Sequence, residues 1–100
     1  MVKSGMRPVH PGEILREEFL VPLGLSANAL ARDLHVSAPR INDIVLQRRG
    51  VSADTAMRLA RYFNTTAAFW MALQSDYDLR VAEVELSERI AREVRPRDVA

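Results

Sequence analysis

The sequence predicts an all-α domain built from five helices, and three observations support this fold class. Apolar residues recur three and four positions apart over most of the chain, which is the spacing of a half-buried helix. Serine or threonine precedes several of these runs, where its hydroxyl can cap a helix N-terminus. With 100 residues, 48% of them hydrophobic and only 6% aromatic, the chain fits one helical domain.

The first helix is predicted to begin at Pro11, because a proline N–H would have no partner at that position anyway. Residues 1–9 are expected to form a flexible N-terminus. His10 fits a capping or surface role better than a metal site, since the chain has no Cys and only one other His. Pro22 is expected to stop the helix. The inward-facing residues are predicted to be Ile14, Leu15, Phe19 and Leu23.

Residues 26–46 predict two short helices joined by a tight turn. Ser26 and Ser37 are the N-cap candidates, one before each helix. Two helices this close in sequence must cross steeply, which is the geometry of a helix-turn-helix. The apolar sides are Ala27, Leu30, Ala31 and Leu34 in the first helix, and Ile41, Ile44 and Val45 in the second.

Three positions at the predicted crossing strengthen this interpretation. Ala31 is small where the helices approach most closely, and Val36 and Ile41 would fill the angle between them. Many helix-turn-helix proteins have a glycine four residues after this alanine, because the turn residue adopts a positive φ. His35 stands there instead, and we expect it to adopt the left-handed conformation at some cost in energy.

The outward side of the second helix predicts a contact with DNA. Its residues are small or form hydrogen bonds, unlike the Glu and Lys pairs of a solvated surface helix. They are Ser37, Ala38, Pro39, Arg40, Asn42 and Asp43. Arginine can donate two hydrogen bonds to guanine, and asparagine or serine can contact base edges. A helix-turn-helix inserts the N-terminal end of its second helix into the major groove. The alternative is a plain hairpin of two helices within a bundle.

A basic loop, residues 47–50, follows the second helix. Gly50 is predicted to be the residue after the helix C-terminus or a turn residue. Arg48 and Arg49 would lie at the end of the helix and the start of the loop. Arginines at such positions often bind phosphates, which orients a protein on DNA without reading its sequence. Two solvated arginines near a helix C-terminus are the alternative.

Two further helices are predicted. Ser52 caps the fourth helix, and Asn64 can take the left-handed position at its end. Thr66 caps the fifth. The apolar side of the fourth helix is Ala56, Leu59, Ala60 and Phe63, and the side of the fifth that is predicted to close over the core is Phe69, Trp70, Leu73 and Tyr77.

The fifth helix becomes highly charged after Asp76 but keeps a narrow apolar stripe. The stripe consists of Leu79, Ala82, Leu86 and Ile90. An apolar stripe on a charged helix is typical of a contact with a second copy or with another protein. The alternative is a terminal helix that lies on the body of the domain.

Charge is distributed unevenly along the chain. Residues 1–65 contain nine Lys and Arg against six Asp and Glu, whereas residues 66–100 contain five against seven. The basic part includes the predicted helix-turn-helix, and the acidic part includes the charged end. This asymmetry is consistent with DNA bound at one end and a protein at the other.

Several other classes of protein are disfavoured. No apolar run reaches the roughly 18–20 residues of a membrane span, and the first ten residues lack the apolar segment of a signal peptide. Without Cys there is no disulfide, and a cytoplasmic location is expected. No spacing supports a triad of Ser26, Asp33 and His35, so we expect no enzyme, and we expect neither a cofactor nor a metal.

Five motifs occur in order along the chain. They are residues 8–19 (PVHPGEILREEF), 26–31 (SANALA), 40–45 (RINDIV), 52–63 (SADTAMRLARYF) and 69–74 (FWMALQ). Together they resemble the HigA antitoxin family, whose members are Xre-type helix-turn-helix proteins related to phage repressors and Cro. The resemblance extends from about Met6 to Leu79.

The resemblance implies a five-helix, lambda-repressor-like DNA-binding domain over residues 10–79, with its helix-turn-helix at 26–46. A charged C-terminal helical extension would occupy residues 80–100. It also implies a homodimer that binds an inverted repeat in its own promoter. As an antitoxin, the protein would bind and neutralise a HigB-type toxin. That toxin resembles a ribosome-dependent mRNA endonuclease, so the catalytic chemistry would belong to the toxin.

The resemblance also assigns roles within the predicted interface. By position, the base-facing part of the recognition helix would be Ser37, Ala38, Pro39, Arg40 and Asp43. Arg40 is the predicted base reader, and Asn42 would contact a base or a phosphate. Family members often have a phosphate-binding Gln where this chain has Ala27, so Asn28 or backbone amides would substitute for it.

Two other functions fit the sequence. A stand-alone Xre-family transcriptional regulator would have the same domain but no toxin, and only the neighbouring reading frame distinguishes the two. A helical adaptor that binds protein would fail to shift any DNA, whereas phosphate contacts make DNA affinity fall steeply with salt.

Overall fold

The structure, a computed structural model, describes residues 7–98, and within them the chain forms five helices and no strand. Helix α1 has three consecutive parts, and the other helices are continuous. The bounds are Pro11–Ile14, Leu15–Leu20 and Val21–Leu23 for α1, Ala27–Leu34 for α2, Ala38–Val45 for α3, Ala53–Phe63 for α4 and Ala67–Glu93 for α5. The predicted all-α fold of five helices is confirmed. The predicted flexibility of the N-terminus falls mostly on residues 1–6, which lie outside the described residues.

His10 caps the N-terminal end of α1. Its Nδ1 accepts a hydrogen bond from the backbone N–H of Gly12 at 2.8 Å, so the predicted capping role is confirmed. The imidazole is buried, and its ring lies against that of Tyr77 in α5 with 4.8 Å between the centroids. The alternative of a surface position for His10 was therefore wrong. Just before the helix, Arg7 forms an ion pair with Glu13 at 2.8 Å.

We expect the protein to lose folding stability as the pH falls below about 6.5, the ordinary pKa of histidine. Burial lowers the pKa of His10, against a smaller opposing effect of Asp78, so the unfolded chain binds this proton before the folded chain does. Above the unfolded pKa the imidazole is neutral in both states, so His10 contributes no pH dependence there. Because only one proton is involved, the free energy of unfolding can change by at most about 1.4 kcal/mol per pH unit.

Urea unfolding between about pH 5.5 and 7.5 measures how the free energy of unfolding changes with pH. A His10→Asn variant is the matched control, because Asn can cap a helix but does not titrate. The slope should be shallower in the variant than in the unaltered chain. Equal slopes would mean that His10 does not link folding to protonation.

The middle of α1 is wound more widely than an α-helix. Leu15–Leu20 is π-helical, and the N–H of Val21 bonds to the carbonyl of Arg16, five residues earlier. Pro22 explains the wide turn, because it has no N–H and its ring would clash with the carbonyl four residues before it. The prediction that Pro22 stops the helix was wrong, since α1 continues one residue further to Leu23 and is capped by Gly24, where φ is +61°.

The wide turn changes which side chains of α1 face the core. A π-turn rotates all later residues about the helix axis relative to their α-helical positions. Leu23, which was predicted to close the end of α1, is 63% exposed, and Leu20 is buried instead. Leu15 is buried as predicted, and Phe19 packs against the core.

The predicted helix-turn-helix forms from α2 and α3. Ser26 accepts a hydrogen bond from the backbone N–H of Ala29 at 3.0 Å, which confirms it as an N-cap. Ser37 caps α3 in the same way, through the N–H of Arg40 at 3.4 Å. His35 adopts the expected left-handed conformation with φ 60°. The buried residues at the crossing are Leu30, Ala31, Leu34, Ile41 and Ile44.

Helices α4 and α5 begin after the predicted caps. Ser52 and Thr66 cap their N-termini, and Asn64 ends α4 with φ 57°. Trp70 is fully buried, and its indole N–H donates to Thr65 Oγ1 at 2.9 Å. Its ring packs against that of Phe19, which in turn packs against Phe63, whereas Phe69 stays 39% exposed.

The loop after α3 differs from the prediction. Gln47, not Gly50, has the positive φ that follows the helix, and Gly50 lies beyond the turn, so the assignment of Gly50 as the residue after the C-terminus or a turn residue was wrong. A Cβ at Gly50 would lie 2.8 Å from Oε1 of Gln74 in α5. The same oxygen accepts a hydrogen bond from the N–H of Val51 at 2.6 Å. Glycine at position 50 therefore lets the loop approach α5 closely.

Helix α5 continues without interruption from the core into solvent. Every residue from 83 to 98 is exposed. Leu86 and Ile90 are 37% and 49% exposed, so the alternative of a terminal helix lying on the body was wrong. No break in the helix marks the boundary between residues 10–79 and 80–100, and that functional division stays a prediction. None of the helices described has both the length and the apolar content needed to cross a membrane.

Candidate nucleic-acid interface

Contacts among the predicted DNA-binding residues bring most of them into one surface around α3. Asn42 of α3 bonds to Asn28 of α2, and Asp43 of α3 pairs with Arg48 and Arg49 of the following loop. We call this surface the recognition face. It comprises the exposed side of α3 together with Asn28, Arg48 and Arg49.

The first turn of α3 presents small residues. The hydroxyl oxygen of Ser37 is occupied as the cap, Ala38 is half-buried against the core, and Pro39 is exposed. Pro39 has no N–H, so it can make only apolar contacts or accept through its carbonyl. Because no long side chain stands at these three positions, the helix end can approach the floor of a groove closely.

Arg40 lies at the edge of the recognition face, beside α4. Its Nη1 donates to Asp54 Oδ2 at 2.6 Å and lies 3.4 Å from Thr55 Oγ1. About a third of the side chain is exposed. Within residues 7–98, no protein acceptor bonds to its Nε or Nη2. The guanidinium is therefore oriented by α4 while one of its edges stays available to a ligand.

Asp54 is shared by two arginines. Besides Arg40, it accepts a hydrogen bond from Arg58 Nε at 3.0 Å, one helical turn further along α4. The hydrogen bond from Arg58 lowers the pKa of Asp54 most, and the one from Arg40 lowers it further. Arg58 also donates to the carbonyl of Leu34 at 2.9 Å, so the cluster joins the end of α2 to α4.

The amide groups of Asn42 and Asn28 connect the two helices of the helix-turn-helix. Nδ2 of Asn42 donates to Asn28 Oδ1 at 2.7 Å and to the carbonyl of Ala38 at 2.9 Å. The first bond crosses from α3 to α2, and the second stays within α3. Both asparagines were predicted to contact DNA, and the first hydrogen bond joins their side chains.

Asp43 carries the negative charge of the recognition face, and two arginines neutralise it. Arg48 Nη2 lies 3.3 Å from Asp43 Oδ1, and Arg49 Nη2 lies 3.9 Å from Oδ2. Both arginines lie in the loop, because α3 ends at Val45 and Gln47 turns the chain. Their side chains are 66% and 49% exposed. Both side chains are accessible to solvent, and their role in binding phosphates stays a prediction.

Asp54 and Arg58 belong to the interface region but were not among the predicted residues. Their spacing of four residues indicates a pair on one helix. Their contact with Arg40, however, depends on how α3 packs against α4, which no local pattern reports. Elsewhere in residues 7–98, no three His, Asp or Glu side chains lie close enough together to hold a metal ion.

Helices α2 and α3, joined by the short turn at residues 35–37, define a helix-turn-helix protein, and residues 15–70 match the helix-turn-helix family. Virulence-associated protein I of Dichelobacter nodosus is 59% identical over 81 residues, which are 81% of this chain and 75% of that protein. The uncharacterized HTH-type transcriptional regulator YbaQ of Escherichia coli K12 is 38% identical over 94 residues, 94% of this chain and 81% of that protein.

Two solved structures are similar in both fold and sequence. The Pseudomonas aeruginosa antitoxin HigA with the higBA promoter has a TM-score of 0.87 and 57% identity, over 90% of this chain and 98% of that one. The antitoxin GraA in complex with its operator has a TM-score of 0.88 and 52% identity, over the full length of both chains. This chain belongs to the HigA antitoxin family of helix-turn-helix proteins. None of these four proteins is described as an enzyme.

Proposed function

We propose that this chain is the antitoxin of a type II toxin–antitoxin module, and that it represses its own operon by binding operator DNA. One observation carries the proposal. The chain is more than 50% identical, over at least 90% of its length, to antitoxins that are described with promoter or operator DNA. The recognition face supports DNA binding independently, because it combines a small, exposed helix end with two accessible arginines.

In the proposed complex, α3 lies in the major groove. Base contacts come from Arg40, Asn42 and Asp43, while the small first turn, Ser37, Ala38 and Pro39, allows close approach to the bases. Arg48, Arg49 and Asn28 bind phosphates and orient the domain on the duplex. Arg40 reads a guanine through its free Nε and Nη2 edge, while Asp54 holds Nη1.

An Arg40→Ala variant should lose about 1–3 kcal/mol of operator binding and tolerate a different base at one position of each half-site. The reason is that a paired donor contact to guanine discriminates against the other bases. Affinities for the operator and for each single-base variant measure both effects. Arg48→Ala is the matched control, because loss of a phosphate contact should weaken binding to all sequences alike. Unchanged base preference in Arg40→Ala would exclude Arg40 as a base reader.

The proposed DNA-binding form is a homodimer. In helix-turn-helix dimers, the two domains bind half-sites about 34–36 Å apart, and the symmetry of the operator mirrors the two-fold symmetry of the protein. The apolar stripe of α5 supplies a surface for this contact, because its Leu79, Leu86 and Ile90 are exposed in the single chain. Burying such a stripe against its own copy removes apolar area from water, which favours association.

The proposed protein partner is a HigB-type toxin. Residues 66–100 contain more acidic than basic side chains, and a toxin that acts on RNA is expected to be basic, so the two charges complement each other. The endonuclease chemistry would lie in the toxin, and this chain would act without catalysis of its own. The proposed location is the cytoplasm, where operator and mRNA are both found.

Growth of cells that express the adjacent reading frame, with and without this chain, tests the antitoxin function. Growth arrest that this chain relieves would support it. A harmless neighbour would exclude the toxin partner but leave the repressor function to be tested separately. For that, the chain should shift the DNA upstream of its own gene, less strongly at higher salt. Failure to shift this DNA at any salt concentration would instead indicate a protein-binding adaptor.

A second candidate is a stand-alone transcriptional regulator. It is favoured by the likeness, over 94% of this chain, to a protein described only as an HTH-type transcriptional regulator. The recognition face would have the same role in this case. The two candidates differ only in the growth experiment, in which a stand-alone regulator has no toxic neighbour to neutralise.

A further inference from the structure

The carboxamide of Asn42 is oriented by two acceptors inside the protein. Its Nδ2 lies 2.7 Å from Oδ1 of Asn28 and 2.9 Å from the carbonyl oxygen of Ala38. A backbone carbonyl only accepts hydrogen bonds, so the Asn42 atom that faces Ala38 must be the nitrogen. The opposite rotamer would bring two oxygens together, which is repulsive.

Both hydrogens of this nitrogen are therefore used within the protein. Within residues 7–98, no group donates a hydrogen bond to the oxygen of Asn42. In the same range, every enclosed polar atom of a buried or half-buried side chain does have a hydrogen-bond partner. Oδ1 of Asn42 is consequently open to solvent on the recognition face. Asn42 thus offers an acceptor to a ligand but no donor.

We infer that Asn42 reads DNA as an acceptor only, and that Asn28 is the positioning residue that holds it in this state. This inference rests on the proposed DNA-binding function and specifies its chemistry. An asparagine reads adenine most often by donating to N7 while accepting from N6. In this chain, Asn28 and Ala38 occupy the donor of Asn42, so Asn42 cannot make both of these hydrogen bonds to adenine.

An acceptor-only reader selects the bases that carry an exocyclic amino group. In the major groove, adenine presents its N6 amino group and cytosine its N4 amino group, whereas guanine and thymine present only oxygen or nitrogen acceptors and a methyl group. An acceptor held against guanine O6 or thymine O4 gains no hydrogen bond and loses water. The base opposite Asn42 is therefore adenine or cytosine.

Asn28 also has a role of its own in this arrangement. Its oxygen accepts from Asn42, which leaves its amide nitrogen free to donate. Asn28 is exposed in the first turn of α2, so this nitrogen can donate to a phosphate while the oxygen keeps Asn42 oriented. A phosphate contact made by Asn28 would thereby link the position of the DNA backbone to the base contact of Asn42.

Duplexes selected from a random-sequence library by the full-length chain provide the test. Each adenine in the selected site is replaced in turn by purine, which lacks the amino group, or by 7-deazaadenine, which lacks N7. Each cytosine is replaced by 2-pyrimidinone, which lacks its amino group. All affinities are measured for the unaltered chain and for Asn42→Ala. Effects of the analogues on base pairing alone appear equally in both proteins and cancel.

At one position per half-site, we expect loss of the amino group to weaken binding about tenfold in the unaltered chain and hardly at all in Asn42→Ala. If that base is adenine, 7-deazaadenine should change the affinity less than twofold. A loss of similar size with 7-deazaadenine, dependent on Asn42, would overturn the inference, because it would mean that Asn42 also donates. A selected duplex with no Asn42-dependent position would overturn it too.

Variants of Asn28 test its positioning role. Asn28→Asp keeps the acceptor for Asn42, so the analogue pattern should persist although the added charge lowers overall affinity. Asn28→Ala removes the acceptor, and the dependence on the amino group should weaken severalfold relative to Asn28→Asp. An unchanged pattern in Asn28→Ala would exclude the positioning role. If no duplex is selected at all, the proposed DNA-binding function itself fails, which is a distinct result.

Discussion

The Gly12→Ala variant is expected to lose about 3 kcal/mol or more of folding free energy. Gly12 is buried where α1 crosses α3, and a Cβ at this position would overlap the backbone carbonyl of Ile44. A backbone atom inside a helix cannot move aside as a side chain can, so the two helices would have to separate. A domain of this size is typically stable by only about 5–15 kcal/mol, so such a loss is large. Urea unfolding followed by circular dichroism measures it.

Gly24→Ala is the matched control for this variant. Gly24 has φ +61°, so alanine is strained there, but a Cβ would meet no atom within 4 Å. The cost should be about 1 kcal/mol, that of a left-handed alanine. The difference between the two variants isolates the contact between α1 and α3. If Gly12→Ala were no less stable than Gly24→Ala, the result would contradict a close contact between α1 and α3 at Gly12.

A Leu86→Glu variant should be monomeric and should bind the operator at least about a hundredfold more weakly. Leu86 lies in the apolar stripe of α5 and is 37% exposed in the single chain. A buried carboxylate at the centre of the proposed dimer contact would cost far more than the leucine contributes. Each monomer would then bind one half-site without the advantage of being linked to the other. Sedimentation measures the mass, and titration of labelled operator measures the affinity.

Val84→Glu provides the control for charge and helix propensity. Val84 is 82% exposed and lies two residues away, about 200° around the helix from Leu86. Its variant should remain dimeric and bind the operator normally. Folding of both variants should be unchanged, because neither side chain belongs to the core. A dimeric Leu86→Glu variant would show that the stripe of α5 does not form the contact between copies.

Local sequence signals predicted well where the helices begin. Ser26, Ser37, Ser52 and Thr66 were identified as caps because a side-chain oxygen near an N–H of the first turn depends on only a few neighbouring residues. The left-handed conformations of His35 and Asn64 followed from position and residue type in the same way. These features involve interactions over at most four residues, which is the range that a pattern can report.

The features that sequence could not predict depend on packing between distant segments. Gly50 was predicted to be a helix end or a turn residue, but its lack of a side chain is explained by Gln74, which lies 24 residues later. The bond between Arg40 and Asp54 and the one between Asn42 and Asn28 each join residues 14 positions apart. The partners that orient the predicted interface residues were therefore not visible in the sequence.

In the proposed dimer, the unbroken course of α5 would also determine how far apart two bound half-sites can be. Gln74 bonds to the segment that follows Arg48 and Arg49, and Leu86 lies 12 residues further along the same helix, about 18 Å in rise. Residues 67–93 include neither Gly nor Pro, so the helix has no intrinsic hinge between these points. In the proposed dimer, one extra base pair at the operator centre would rotate the second half-site by about 34–36°. The length of the spacer would therefore be recognised as strictly as the bases on either side of it.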